Sequence, residues 1–203
     1  MAIFKRTLSQ RTLILCEGES EEFYFKSAKK TISDKIRRQG IDIQIETAKH
    51  QDCEGLVEEA IAKAKKAKQD LIPYHTVWVV FDNDRQEIKK QGSLSRAFQL
   101  AKGKVNIVYG SIAWEYWYLL HFGYTSRAFM SSAEVIDELK KQEGFSDYKK
   151  PYDRAFEKLK TKLSAGVQHA QQLRSSQEKL DVFPPFINPW ADADLLLKHL
   201  NTI

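Results

Sequence analysis

Glu17 closes the apolar run Thr12-Leu13-Ile14-Leu15-Cys16 and is followed by Gly18-Glu19. Further on, a second apolar run, Val77-Trp78-Val79-Val80-Phe81, ends in Asp82-Asn83-Asp84. Both runs have the length and composition of buried strands, and both stop at carboxylates. In an open parallel sheet the ligand crevice lies just beyond the carboxyl ends of the strands. If the two strands are neighbours, Glu17, Asp82 and Asp84 meet there. Carboxylates so crowded are costly without a cation, and hard oxygen donors of this kind suit Mg²⁺ or Mn²⁺. Asp82 and Asp84 alternate along an extended segment, so they point the same way and can address one metal ion, or two close together. Asp and Asn are also common in turns and at helix starts, which is the plainer explanation of an isolated Asp-x-Asp. Two strand ends carrying the same feature favour the metal site.

The first 110 residues alternate between strand and helix periods. After the strand Thr12–Cys16, Ser20 reads as the N-cap of a helix with acids in its first turn, ending near Ile36 and Gln39-Gly40. Ile41–Glu46 alternates strictly and predicts a half-buried strand. Leu56, Val57, Ala60, Ile61, Ala64 and Ala67 recur at helical spacing. The strand to Phe81 follows, then a helix marked by Leu94, Ala97, Phe98 and Ala101 and closed by Gly103, then a strand Val105–Tyr109. This βαβαβαβ order predicts an α/β fold with a mostly parallel sheet, right-handed crossovers and helices on both faces. Beyond Gly110 only helices are expected. Ser131–Glu134 is a capping box, Tyr152, Phe156, Leu159 and Leu163 form a stripe, and Asn188-Pro189 reads as an N-cap with proline at the first helical position. The division expected is an α/β core over residues 1–125 and a C-terminal helical annex over 126–203, packed as one compact unit.

With 203 residues, 42% hydrophobic and 29% charged, the chain has enough material for one domain with a real core. No stretch is long and apolar enough for a membrane span, and the N-terminus shows no long apolar stretch behind its charges. Cys16 and Cys53 are read as free thiols in a reducing cytoplasm. The net charge of +5 is modest evidence for a polyanionic partner. Its excess is uneven: Lys140–Leu180 carries ten Lys/Arg against five Asp/Glu, either a solvated helical surface or a nucleic-acid face. Lys149, Lys150, Arg154 and Lys158 are the candidates there for contacts to a phosphate backbone. Arg85, beside the carboxylates, would steer phosphate or pair with Asp84.

Ala113–Phe122 is dense in aromatics and predicts a helix whose Trp114, Tyr116, Trp117 and Tyr118 are mostly core, though such rings also stack on bases. Glu115 among them is expensive unless hydrogen-bonded or bound to a cation. It is a candidate for the site, as a catalytic acid, or for a structural ion pair. His121 reads as a structural histidine, with acid/base work as the sharper alternative. Gly18 alone makes no phosphate loop, so any nucleotide-driven motor must be another protein.

Three segments together resemble one known family. These are Cys16-Glu17-Gly18-Glu19 followed by Glu21-Glu22-Phe23-Tyr24-Phe25; Trp78-Val79-Val80-Phe81-Asp82-Asn83-Asp84; and Trp114–Phe122. In order and spacing they are similar to the RloB family, whose core resembles the Toprim domain of topoisomerases, primases and several nucleases. Asn188-Pro189 before a terminal helix is similar to that family's closing element. The block preceding Trp114 reads Ser111-Ile112-Ala113 where the family usually has Ser-Asn-Pro. The resemblance implies that Glu17 does acid/base work and shares the metal, and that Asp82 and Asp84 bind Mg²⁺ (or Mn²⁺). It also implies a Mg²⁺-dependent nuclease that cleaves phosphodiesters in RNA, tRNA included, or in DNA. Such a protein would be a toxic effector of anti-phage defence (abortive infection), with an ATPase partner from the same locus. The alternatives are a non-catalytic module that docks on an ATPase, its carboxylates serving a structural cation, and phosphoryl transfer without hydrolysis.

Overall fold

A strand apolar along its whole length has both faces covered. The first strand, β1 (Arg11–Cys16), is buried from Thr12 to Cys16. The structure, a computed structural model, describes residues 10–83, 92–177 and 187–201. After β1 come α1 (Glu19–Thr31), α2 (Ser33–Gln39), β2 (Asp42–Thr47), α3 (Cys53–Gln69), β3 (Thr76–Asp82), α4 (Ser93–Ala101) and β4 (Asn106–Ser111). There follow α5 (Glu115–Leu119), α6 (Ser132–Lys140), α7 (Ala155–Leu159), a 3₁₀ turn (Lys160–Lys162), α8 (Leu163–Gln177), β5 (Trp190–Ala191) and α9 (Ala193–His199). The sheet has five strands in the order β2-β1-β3-β4-β5. All neighbouring pairs are parallel except β4 with β5.

Alternation along the strands divides the core in two. Ile14, Cys16, Ile45, Trp78, Val80 and Val108 face α1 and the aromatic block that contains α5. Leu13, Leu15, Val77, Val79, Phe81 and Tyr109 face α3 and α4, through Leu56, Val57, Ala60, Leu94 and Ala97. Trp114, Tyr116, Trp117 and Tyr118 are all buried, as core aromatics should be. Tyr24 of α1 packs edge-on against Trp114 at 5.7 Å and Phe156 at 5.3 Å between ring centroids, which seats the C-terminal helices over α1. Cys16 and Cys53 are free and buried.

Three local expectations are corrected. Ser20 is not the cap of α1. Gly18 holds the N-cap position in extended backbone, and the helix starts at Glu19, directly off the strand end. Residues beyond Gly110 are not all helical, because Trp190–Ala191 pairs antiparallel with Gly110–Ser111 as β5. Two residues are too few to show a strand period. Asn188-Pro189 therefore does not start the last helix; Asp192 is the residue before it. The Asn188 side chain instead clasps the backbone of Phe129, accepting from its N–H at 3.4 Å and donating to its carbonyl at 2.7 Å.

His121 settles into a structural role. Its Nδ1 donates to the Trp117 carbonyl at 2.9 Å, and the ring lies edge-on to the Trp117 indole at 4.6 Å between centroids. Burial pulls the imidazole down to about 4, from an ordinary value of 6.5. The folded chain thus refuses a proton that the unfolded chain accepts between these values. Its contribution is fully present above pH 6.5 and is lost as pH falls toward 4. The slope from this one residue is at most ~1.4 kcal/mol per pH unit. NMR of the imidazole should show no titration between pH 8 and 5, and a midpoint near 6.5 would contradict the assignment.

Gly166 of α8 packs on the same ring, where an added Cβ would come within 2.8 Å of three imidazole atoms. Helix propensity favours Gly166→Ala by at most ~1 kcal/mol, whereas overpacking a buried ring costs about 1–3 kcal/mol. The expected result is a net loss of stability on urea unfolding. A stabilised variant would show that the ring can yield.

Candidate functional site

The chain runs from β1 out to β2 and returns to β3 on the other side of β1, so β1 and β3 flank the point where the sheet order reverses. Crevices for ligands open at such points, off the carboxyl ends of the strands. Glu17 extends the ladder by one residue, its N–H donating to the Val80 carbonyl at 2.9 Å. The Asp82 N–H donates to Glu17 Oε2 at 3.2 Å. The Trp114 N–H, at the start of α5, donates to Asp82 Oδ2 at 2.9 Å. Two of the three expected carboxylates therefore meet, each oriented by a backbone N–H. Asp84 and Arg85 lie outside the described residues.

A cleft of about 430 Å³ opens over these strand ends. It is lined by Glu17, Gly18, Glu19, Ser20, Glu21, Gln51, Asp82, Ser132, Lys150 and Pro151. Of the basic residues expected to meet phosphate, Lys150 is the one that reaches this lining among the described residues. Arg154 and Lys158 are engaged with Asp147, at 2.8 and 3.4 Å, and Lys149 is exposed on the surface.

Glu21 was not singled out from the sequence. It is 6% exposed, in the first turn of α1. Burial first, and then the charge of Asp82, push its carboxyl up to about 8; Glu115 adds to this and Lys150 opposes it. A signal was present, since Glu21 shares a helix face with Tyr24, Phe25 and Ala28, all fully buried. An acid in line with an apolar stripe sits inside.

Glu115 is 0% exposed. Its Oε1 accepts from the Tyr148 hydroxyl at 2.5 Å and pairs with Lys150 Nζ at 2.8 Å. Of the two roles the sequence left open, the geometry has the ion pair. Glu115 lies behind Lys150 and is absent from the cleft lining, so its carboxylate acts on the cleft through that lysine. Burial draws the Lys150 ammonium down, but Glu115, Asp82 and Glu21 together hold it above its ordinary value. It stays charged at neutral pH.

The sequence matches the profile of the RloB-like protein family over residues 12–200. The chain belongs to the RloB-like family. That match spans the sheet from Thr12 onward and the C-terminal helices, including Glu17, Asp82, Glu115 and Lys150. No curated protein matches the chain. Among the described residues, no helix is long and apolar enough to cross a membrane.

The donors around the cleft fit a hard divalent cation in kind. Glu17 and Asp82 offer carboxylate oxygens, and Glu21 beside them keeps its proton to about 8, in part because Asp82 is close. Among the described residues, no group of three or more His, Cys, Asp or Glu is placed to hold a metal ion.

Proposed function

We propose that this RloB-like protein is a Mg²⁺- or Mn²⁺-dependent nuclease of Toprim type. It would hydrolyse phosphodiester bonds in RNA, tRNA included, or in DNA, as the toxic effector of an anti-phage system beside an ATPase partner. The observation that carries the reading is the delivery of Glu17 and Asp82, from neighbouring parallel strands, to one cleft at the reversal point of the sheet. Asp82 would hold the ion, with Asp84 as its expected companion and Glu17 at its flank. A bound ion would supply positive charge against the phosphate. In the reaction a water oxygen bonds to phosphorus and one phosphorus–oxygen ester bond breaks. Glu17 takes the water's proton, and the leaving oxygen picks up a proton from solvent.

The rival reading is a non-catalytic module that docks on an ATPase, its carboxylates serving a structural cation. Labelled tRNA and plasmid DNA, incubated with the chain in Mg²⁺, Mn²⁺ and EDTA, separate the two. The nuclease reading expects cleavage that needs the ion and disappears in both Glu17→Ala and Asp82→Ala. Intact substrates in every arm, with tight binding to the ATPase, would favour the module. Host toxicity that survives both substitutions counts against catalysis.

A further inference from the structure

A buried ion pair is weak evidence for stability, because well-packed apolar residues at the same positions are often at least as stable. The Glu115–Lys150 pair therefore needs another reason. Glu115 is 0% exposed, while the Lys150 side chain keeps 45% of its surface open and lines the cleft. Two groups from one short segment, the Tyr148 hydroxyl and the Lys150 ammonium, converge on the same oxygen, Oε1. The other oxygen, Oε2, is buried with no hydrogen-bond partner among the described residues. A carboxylate kept in the interior at this cost has its hydrogen bonding concentrated on one task, fixing where the ammonium sits. That place is the wall of a cleft whose other ionisable lining residues are Glu17, Glu19, Glu21 and Asp82, among the described residues.

Phosphodiester hydrolysis develops charge on both the attacking and the leaving side of phosphorus, and many nucleases meet it with two metal ions. We propose that Lys150 is the second cation of this cleft. Its ammonium, positioned by Glu115 and Tyr148, would stand beside one divalent ion at Asp82 and bind a non-bridging oxygen of the phosphate. Lys150 touches substrate in this scheme, and Glu115 and Tyr148 are positioning residues. The inference rests on the nuclease reading, but it also constrains how the cleft holds an ion when no nucleic acid is present.

The test uses the full chain and two readouts. Mn²⁺ affinity, without nucleic acid, is read from the electron-paramagnetic signal of the free ion. Cleavage is measured on whichever of tRNA and plasmid DNA is cut. Lys150→Met removes a like charge from the ion's surroundings, so Mn²⁺ should bind about 10-fold tighter. Its kcat should fall about 100-fold with KM within about 3-fold, as for a contact made in the transition state. Lys150→Arg should recover part of that kcat, and Glu115→Gln should lower kcat because the ammonium is no longer fixed. Lys149→Met, one residue away and exposed, should leave Mn²⁺ affinity unchanged. The proposal is overturned if Lys150→Met leaves Mn²⁺ affinity unchanged or weakens it. If the wild-type chain binds Mn²⁺ but cuts neither substrate, the nuclease reading fails by itself and the Mn²⁺ shift decides the place of Lys150. If it binds no Mn²⁺, both fall.

Discussion

Asp82→Asn is expected to lower metal-dependent cleavage about 1,000-fold or more, while the folded chain in EDTA becomes no less stable. A carboxylate that holds the reacting ion supports several kcal/mol of charge stabilisation in the transition state, and each ~1.4 kcal/mol is tenfold in rate. Asn keeps an oxygen that can accept from the Trp114 N–H, the 2.9 Å bond that ties β3 to the start of α5. The variant therefore keeps that bond. It also sheds a negative charge that, after burial, is the next largest cause of the raised Glu21 carboxyl. Thermal unfolding in EDTA should give a Tm equal to the wild type or higher, and added Mn²⁺ should stabilise the wild type more than the variant. A variant that unfolds several degrees lower would make Asp82 a structural residue. A variant that cuts as well as the wild type would remove the ion from Asp82.

Arg174→Met should destabilise the chain by about 3–5 kcal/mol, the cost of leaving a buried charge without its partner. Arg174, on α8, donates to both oxygens of Asp194 at 2.7 and 2.6 Å, and to the carbonyl of Ala191 at 2.7 Å. Asp194 is 2% exposed, so water cannot replace the guanidinium. Two residues before it, Asp192 accepts from the Tyr109 N–H at 2.5 Å and from the Trp190 indole at 3.3 Å. Burial pushes the Asp192 carboxyl up to about 7, and Arg174 is among the groups that hold it down. Losing Arg174 therefore strands one carboxylate and raises the cost of a second. Urea unfolding at neutral pH measures the loss. Arg174→Met combined with Asp194→Leu should recover most of it. If the double variant is as unstable as the single one, packing of the arginine stem, and not the unpaired charge, is the cause.

The sheet was legible because burial on both faces writes itself as continuous apolar runs, and helices write themselves as stripes. Leu13–Cys16 and Val77–Phe81 could be read as strands of an α/β fold, and their carboxylate ends, were the two neighbours, as a candidate site, because strand ends of a parallel sheet are where a crevice opens. β5 was not legible. Trp190–Ala191 has no period of its own and becomes a strand only because Gly110–Ser111 presents an edge to it. Asp192, with no pattern around it, became the pivot of that junction through contacts reaching back to Tyr109.

The chain by itself determined the helix and strand order up to Gly110, through local period, and its family, through the three motif segments; Glu17 meets Asp82 because β1 and β3 are neighbours in the sheet. Tertiary packing alone decided which charges share the cleft. Glu21 is drawn in because its helix face is buried. Glu115 is withdrawn behind Lys150 because aromatic packing closes over it. Lys150 is separated from Lys149, Arg154 and Lys158, its equals in the sequence, because only its ammonium finds a buried carboxylate to hold it. Charge carries no period along a chain, so its place is known only when distant segments close on each other.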